Sequence, residues 1–497
     1  MKSYLNNKRI VSLFVIAALC ASFGMTGCNE TVRQTEPDPK YIGTPEVTVE
    51  PASDIEDIIP AGDKDYYIPF QNPDHCYCTV NEGFGVPVRT QGLGGCYCYA
   101  AVASLQSNYL KTHGELIDIN PKDIIYRIYE SSDSTTGEFD SFDEEKYYVS
   151  YGTPDDYGGD SYKVTGAICA DPLNGYFAEE TSFLGIYNME YPTAKTIYED
   201  DIKAAVREHG AVCISVSFSK DCKMVHGYYT QNYAMNAFDT DHVAVIVGWD
   251  DDFPADCFEN PASRNGAWLV QNSFGEIWGN CGYYWVSYDM AIPGVLTYSV
   301  TNEYSSAISY GKYVTSSVIA PDVMEKIGKD MDAGRITYDE ISNSGEVSAA
   351  TVYEEKGKIG AIGIWTTFPG QKYTIEIRKG EFGKVVATAT GSFDHSGYHT
   401  VKFDKPVSVN KFTVVVKVNG EAAFEGAPKE DKTYTPIQVL TSHYEAKTEH
   451  GRSFVQIGEE WVDVTDPDIM KRLGVEGIEY YEGLTTVGDP CITVLFV

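Results

Sequence analysis

At 497 residues the chain has room for about two to four domains. Its 43% hydrophobic content is that of a globular protein. The formal net charge of −34 argues against nucleic acid and anionic membrane surfaces as partners, because both are polyanions.

Taken in chain order, the first element is a targeting segment. Lys2, Lys8 and Arg9 form a basic stretch ahead of the apolar run from Ile10 to Phe23, which is too short for a comfortable membrane span. It ends in Met25-Thr26-Gly27-Cys28, which resembles a bacterial lipobox. Residues 1–27 are therefore expected to be a lipoprotein signal peptide, with Cys28 carrying the lipid. Residues 28–64, rich in Pro and acid and lacking a burial period, read as a lipid-anchored tether. No later stretch has 18 unbroken apolar residues, so the lipid is the expected anchor and the location is extracytoplasmic, at a bacterial cell surface.

The run Gln91-Gly92-Leu93-Gly94-Gly95-Cys96-Tyr97 leads into an apolar helical stretch from Tyr99 to Leu105. A thiol at a helix N-terminus is placed to be a nucleophile, because unpaired N–H groups and the helix dipole favour the thiolate. A small buried cysteine at a helix start is the plainer alternative. Pro121 to Tyr129 reads as a second helix, with Asn120 as N-cap and Pro121 in its first turn. Residues 130–162 read as an insertion or long loop. Ile197 to His209 holds a short helix closed by Gly210, and Ala211 to Phe218 opens a β-rich half.

A buried strand then starts at His242 and runs to Trp249, a second runs from Gly266 to Asn272, and Trp278 to Tyr288 supplies a turn and a third strand. The acidic segment Asp250–Asp256 has carboxylates that calcium would accept but lacks the spacing of a calcium loop, so it reads as a solvated surface loop. Cys76-Tyr77-Cys78 and Cys96-Tyr97-Cys98 have one-residue spacing, unlike a zinc site. No metal and no cofactor is expected.

The set Gln91, Cys96, His242 and Asn272-Ser273-Phe274-Gly275 resembles the papain family of cysteine peptidases. The resemblance implies a two-lobed fold with substrate in the cleft between a helical and a β lobe. It makes Cys96 the nucleophile, His242 the general base and acid, Asn272 the residue that orients the imidazole, and Gln91 an oxyanion-hole donor. The sequence departs from the family pattern in several places. Tyr97 and Phe274 stand where Trp is usual, and Leu93 replaces a disulfide-forming Cys. Gln91 lies one residue closer to Cys96 than usual, so Cys98 is a rival nucleophile; the ungapped alignment of the following helix favours Cys96. The short stretch between Cys28 and Gln91 leaves no room for a long inhibitory prodomain, and the cysteines outside the signal are expected to be mostly free thiols.

Beyond residue 302 the pattern becomes all-β. Lys372 to Arg378 alternates strictly, Lys411 to Val418 is β-branched, Cys491 to Phe496 reads as a closing strand, and Val323 to Ala333 reads as a helical insertion. Ser396 to Val401, Phe412 to Lys417, and Gly451 to Phe454 with nearby Trp461 resemble the lectin-like domain that follows the peptidase in some bacterial papain-like proteins. The expected architecture is α+β: a papain-like two-lobe domain over 65–302 and a lectin-like β-sandwich over 303–497. The expected function is cleavage of protein or peptide substrates by a membrane-tethered enzyme, with a cell-surface or glycan ligand for the β domain. A surface adhesin with a weakly active peptidase scaffold is the rival, and amidase or acyl-transfer chemistry on cell-wall peptides is a third reading.

Overall fold

A computed structural model describes residues 66–91, 95–130, 161–189, 195–218, 222–232, 242–314, 316–322, 343–428, 448–475 and 484–497. The signal peptide, Cys28, the whole tether, Leu93, most of the 130–162 insertion and the helix expected at Val323–Ala333 lie outside the described residues.

The first half begins with β1 (Cys76–Cys78), α1 (Cys96–His113), α2 (Pro121–Glu130) and α3 (Ser161–Ala170). The helix α1 contains no Gly or Pro and ends where Gly114 turns left-handed at φ 72°. It is buried on nearly every side from Cys96 to Leu110, as a central helix must be when apolar side chains surround its axis. At the start of α2, Asn120 Oδ1 accepts the Lys122 N–H at 3.0 Å, the expected cap.

Next come β2 (Phe177–Tyr187), β3 (Thr196–Ile197), α4 (Glu199–His209) and β4 (Val212–Val216). The short helix expected at Asp200–Val206 lies within α4, which Gly210 closes as expected. Ile197 pairs in parallel with Tyr187, and Asp201 Oδ2 accepts the Tyr198 N–H at 2.8 Å, which sets the helix start. The lobe continues with β5 (Lys223–Val225), β6 (Tyr228–Gln231), β7 (His242–Asp250), β8 (Ala267–Gln271), β9 (Tyr283–Ser287) and β10 (Ile292–Thr301).

The second half holds β11 (Ser306–Ser309), β12 (Ser316–Ile319), β13 (Glu346–Tyr353), β14 (Gly357–Thr366), β15 (Lys372–Lys379), β16 (Val385–Ser392), β17 (Ser396–Val409), β18 (Phe412–Asn419) and β19 (Glu421–Pro428). It closes with β20 (Ser453–Ile457), β21 (Glu460–Asp463), the short helix α5 (Ile469–Arg472), β22 (Leu484–Pro490) and β23 (Ile492–Phe496). One sheet runs β16-β15-β18-β13-β20-β21. Its inner side chains, among them Val347, Ile375, Val414 and Val455, share a core with Ile362 and Ile364 of β14 and Val494 of β23. This is the expected sandwich packing.

The two halves are not separate beads. A 14-stranded sheet runs β11-β23-β14-β17-β2-β10-β4-β7-β8-β9-β6-β5, with β1 added to β7 and β3 to β2. The joint is the pairing of β17 with β2, from Ser396 opposite Phe183 to His399 opposite Glu180. Gly397 makes the approach feasible: its φ is +135°, and a Cβ there would lie 1.8 Å from the Thr181 carbonyl oxygen. Trp365, Tyr398 and Cys491 from the second half lie in the same buried cluster as Cys96 to Leu105 of α1. The fold class is α+β as expected; the sequence reading placed a boundary at 302/303 without the sheet that crosses it.

Candidate active site

Antiparallel pairing of β7 with β8 sets Val245 opposite Gln271, which brings the start of one strand beside the end of the other. His242 is the first residue of β7, and Asn272 directly follows β8. His242 Nε2 lies 2.8 Å from Asn272 Oδ1, and both residues are buried. Asn272 Oδ1 also accepts the Ser273 N–H at 2.7 Å, and the Asn272 N–H donates to Gly282 O at 2.9 Å. The asparagine is thus held from both sides and holds the ring in turn, leaving Nδ1 as the ring's other nitrogen.

An aromatic cluster covers this pair. Phe218 and Phe274 each have ring centroids 5.0 Å from the imidazole. Trp278 sits 5.4 Å from Phe218 and 5.7 Å from Phe274. The smaller ring at Phe274 is therefore joined by two further rings. Sequence reasoning missed Phe218, although it closes the apolar run from Ala211.

Cys96 begins α1, which packs against β7, and only 4% of its surface is exposed. Cys98 differs in kind. It is fully buried, its Sγ lies 3.3 Å from the Pro121 carbonyl, and burial pushes its thiol well above the ordinary range. Two residues on a helix point about 200° apart, so a sulfur packed on α2 faces away from the side that Cys96 presents.

Gln91 is placed by the asparagine turn rather than by its distance from Cys96. Its N–H donates to Ser273 O at 2.8 Å, its Oε1 accepts the Ser273 hydroxyl, and neighbouring Thr90 bridges to Phe274. With Oε1 engaged, the Nε2 amide is the donor end of the side chain. Arg89, which the sequence reading did not single out, turns inward from the same segment. Its Nη2 lies 3.4 Å from Gln106 Oε1, in a small cavity bounded by Tyr99 and Ala103 of α1, Val243 of β7 and Gln271.

The acidic segment Asp250–Asp256 is not a solvated loop at its start, because Asp250 is the last residue of β7. Asp250 is 1% exposed and accepts the Tyr67 hydroxyl at 2.9 Å, the Phe70 N–H at 2.8 Å and the Asp252 N–H at 3.0 Å. Asp251 pairs with Lys203 at 2.6 Å and accepts the Tyr288 hydroxyl at 2.7 Å, while Asp252 meets Asn72 and His75. Asp250 and Asp252 staple the segment before α1 onto the β lobe, while Asp251 ties to Lys203 of α4. Among the described residues no group of three or more His, Cys, Asp or Glu side chains is arranged to hold a metal ion, and no disulfide joins the described cysteines.

Residues 79–307 match the papain family cysteine protease, and residues 332–472 match the lectin like domain. The chain carries a papain-family cysteine protease domain joined to a lectin-like domain. The chain is 23% identical over 206 residues to a cysteine protease of Blomia tropicalis, covering 40% of this chain and 56% of that protein. It is 22% identical over 219 residues to mouse cathepsin K, covering 41% of this chain and 56% of that protein. The chain thus spans about half the length of these curated relatives.

Among solved structures, clostridial cysteine protease Cwp84 after propeptide cleavage is 17% identical, with a TM-score of 0.57 over 85% of this chain and 98% of that one. The cysteine protease and lectin-like domains of Cwp84, a surface layer associated protein of Clostridium difficile, give 16% identity and a TM-score of 0.54, over 84% of this chain and 88% of that one. At these identities the likeness is one of fold, and it extends through both domains of the protease–lectin-like arrangement.

Proposed function

We propose that this chain is a cysteine peptidase that hydrolyses peptide bonds through a Cys96 thioester. The observation that carries this reading is the 2.8 Å contact between His242 and Asn272, buried where β7 packs on the helix that Cys96 begins. In the proposed reaction His242 Nδ1 takes the Cys96 proton, and the thiolate attacks the scissile carbonyl carbon. The Cys96 backbone N–H and the Gln91 Nε2 amide hold the oxyanion, each worth about 2.7–4 kcal/mol of barrier in comparable sites. The imidazolium then protonates the leaving amine, and water activated by the same imidazole hydrolyses the thioester. Asn272 keeps the ring aimed throughout, and the cover of Phe218, Phe274 and Trp278 protects that hydrogen bond from water.

We further propose that a lipid on Cys28 tethers the enzyme outside the cytoplasm, at the cell surface, and that the lectin-like half takes a cell-surface or glycan ligand. The lipobox-like run supports the tether, and the fold likeness to a surface layer associated protease supports the location. The test is the full chain in detergent with casein and a quenched-peptide library. Hydrolysis should be lost on thiol alkylation and in Cys96→Ala. It should follow a bell-shaped pH–rate profile that belongs to the coupled Cys–His pair. An active Cys96→Ala protein would refute the assignment. Cys28→Ala should move the protein from the membrane to the soluble fraction.

A further inference from the structure

The cavity beside Arg89 has a volume of about 20 Å³, room for one small ion or one water. Arg89, Gln106, Gln271 and Asn272 are its polar lining, between apolar walls such as Ala103 and Val243. The Arg89 side chain is only 23% exposed, so its charge is largely out of water. Its guanidinium donates to Gln106 Oε1 at 3.4 Å and meets Asp118 at 4.0 Å, a carboxylate that is itself 67% exposed. An ion pair that long and that wet offsets little of the cost of burying a cation. Burial accordingly pulls the guanidinium pKa down, and Asp118 acts against it. The glutamines have little left to offer. Gln271 donates to Pro87 O at 3.2 Å and accepts the Tyr283 hydroxyl at 3.3 Å, while Gln106 Nε2 donates to Ile117 O at 2.5 Å. Most of the five guanidinium N–H donors thus have no acceptor among the described residues.

Asn272 lines the same cavity. The Ser273 N–H and the imidazole both lie on Oδ1, which makes Nδ2 the opposite end of the amide. Asn272 is 2% exposed, and Nδ2 has no hydrogen-bond partner among the described residues. A buried donor left in that condition costs about 1–3 kcal/mol. The cavity therefore gathers a poorly neutralised cation and an unsatisfied amide donor, with no acceptor to match them.

We propose that this cavity binds a chloride-sized monovalent anion between the Arg89 guanidinium and Asn272 Nδ2. Chloride accepts from both donors and neutralises the cation, whereas water accepts from both but brings no charge. Sulfate and phosphate are too large for the volume. The consequence for catalysis rests on the proposed peptidase reading. An acceptor on Nδ2 polarises the amide and makes Oδ1 a stronger acceptor for the ring Nε2–H, because linked hydrogen bonds reinforce one another. The anion thereby steadies His242 as it becomes imidazolium.

The test uses the full chain in detergent, exchanged into sodium gluconate and titrated with sodium chloride at constant ionic strength. Chloride NMR should show saturable line broadening by the wild type that Arg89→Gln removes and Arg89→Lys retains at weaker affinity. Over the same titration kcat on a quenched peptide should rise about tenfold, the scale of one charge-assisted hydrogen bond, with little change in KM. The rise should persist in Arg89→Lys and vanish in Arg89→Gln. Should Arg89→Gln fail to fold, anomalous scattering from wild-type crystals grown in sodium bromide locates the anion directly, with the peak expected between Arg89 and Asn272. No such peak, or broadening unchanged in a folded Arg89→Gln, would overturn the site and leave water as its occupant. Anion binding with kcat indifferent to chloride would overturn the link to Asn272. Anion binding without thiol-dependent hydrolysis would overturn the peptidase reading and leave the site standing.

Discussion

His242 and Asn272 are 30 residues apart in the chain and 2.8 Å apart in the fold, joined through the antiparallel pairing of β7 and β8. Because Asn272 Oδ1 also accepts the Ser273 N–H, one oxygen organises both the imidazole and the turn that carries Gln91. Asn272→Ala should lower kcat by about 100-fold, the scale of a misaimed catalytic group, with a smaller change in KM. The stability loss should be about 1–3 kcal/mol, because a buried N–H loses its acceptor. Steady-state kinetics with urea unfolding separates the two effects. An unchanged kcat would show that the hydrogen bond does not orient the ring.

The two neighbouring thiols should behave differently. Cys96→Ala is expected to abolish hydrolysis with the fold intact, since Ala is a good helix former. Cys98→Ala should retain most activity but lose about 1–2 kcal/mol of stability, because it removes a buried sulfur packed on the Pro121 carbonyl. Peptide mapping of an inhibitor adduct checks the assignment: label on Cys98 would reverse it.

Gly397 should tolerate no side chain. A methyl group there meets the Thr181 carbonyl oxygen at 1.8 Å on a backbone that other residues rarely adopt. Gly397→Ala should therefore cost about 3 kcal/mol or more and loosen the β17–β2 joint. The expected readout is a lower melting temperature together with faster proteolysis between the protease and lectin-like halves. Wild-type stability in this variant would mean that the joint is not tightly held.

Glu425 should make stability pH-dependent. It is 1% exposed, and burial pushes its carboxyl from 4.5 up to about 8, reinforced by Asp489 and opposed by the Tyr313 and Lys312 N–H groups and the Lys312 charge. Between these two values the folded state keeps a proton that the unfolded state has released, so unfolding free energy falls as pH rises. The contribution is complete below about pH 4.5 and gone by about pH 8. Glu425→Gln lacks this loss. Its melting temperature relative to wild type should climb across that window in a pH series, and a flat difference would contradict the shift.

The Asp250 staple should be worth more than any one of its bonds. Tyr67→Phe removes one hydroxyl donor and should cost about 1 kcal/mol. Asp250→Ala strands that hydroxyl and two part-buried N–H groups, and should cost about 3 kcal/mol. Urea denaturation with intrinsic fluorescence measures both, and equal losses would mean that Asp250 acts through Tyr67 alone.

Local chemistry made much of this protein legible. Cap residues such as Asn120, the closing glycine at 210, the alternation of Lys372 to Arg378 and the order of Gln91, Cys96, His242 and Asn272 depend on neighbours a few residues away or on residue type alone. Ile197, just ahead of α4, completes a sheet beside Tyr187, a tertiary partner that local periodicity does not register. The same holds for Phe218. Nothing in its local run distinguishes it, and only the strand crossing sets it over the imidazole.

By itself the sequence determined which residue types are available for thiol chemistry, the α+β class, the Asn120 cap and the Gly210 stop, because propensity, capping and side-chain chemistry act over short separations. Tertiary structure alone decided that Cys98 packs on Pro121, that Gln91 is set by Ser273, that Asp250 is a buried staple, and that one sheet crosses from β2 into β17. Each of these depends on hydrogen-bond and packing partners brought together from distant parts of the chain. A one-dimensional pattern records such groups but not which of them will meet.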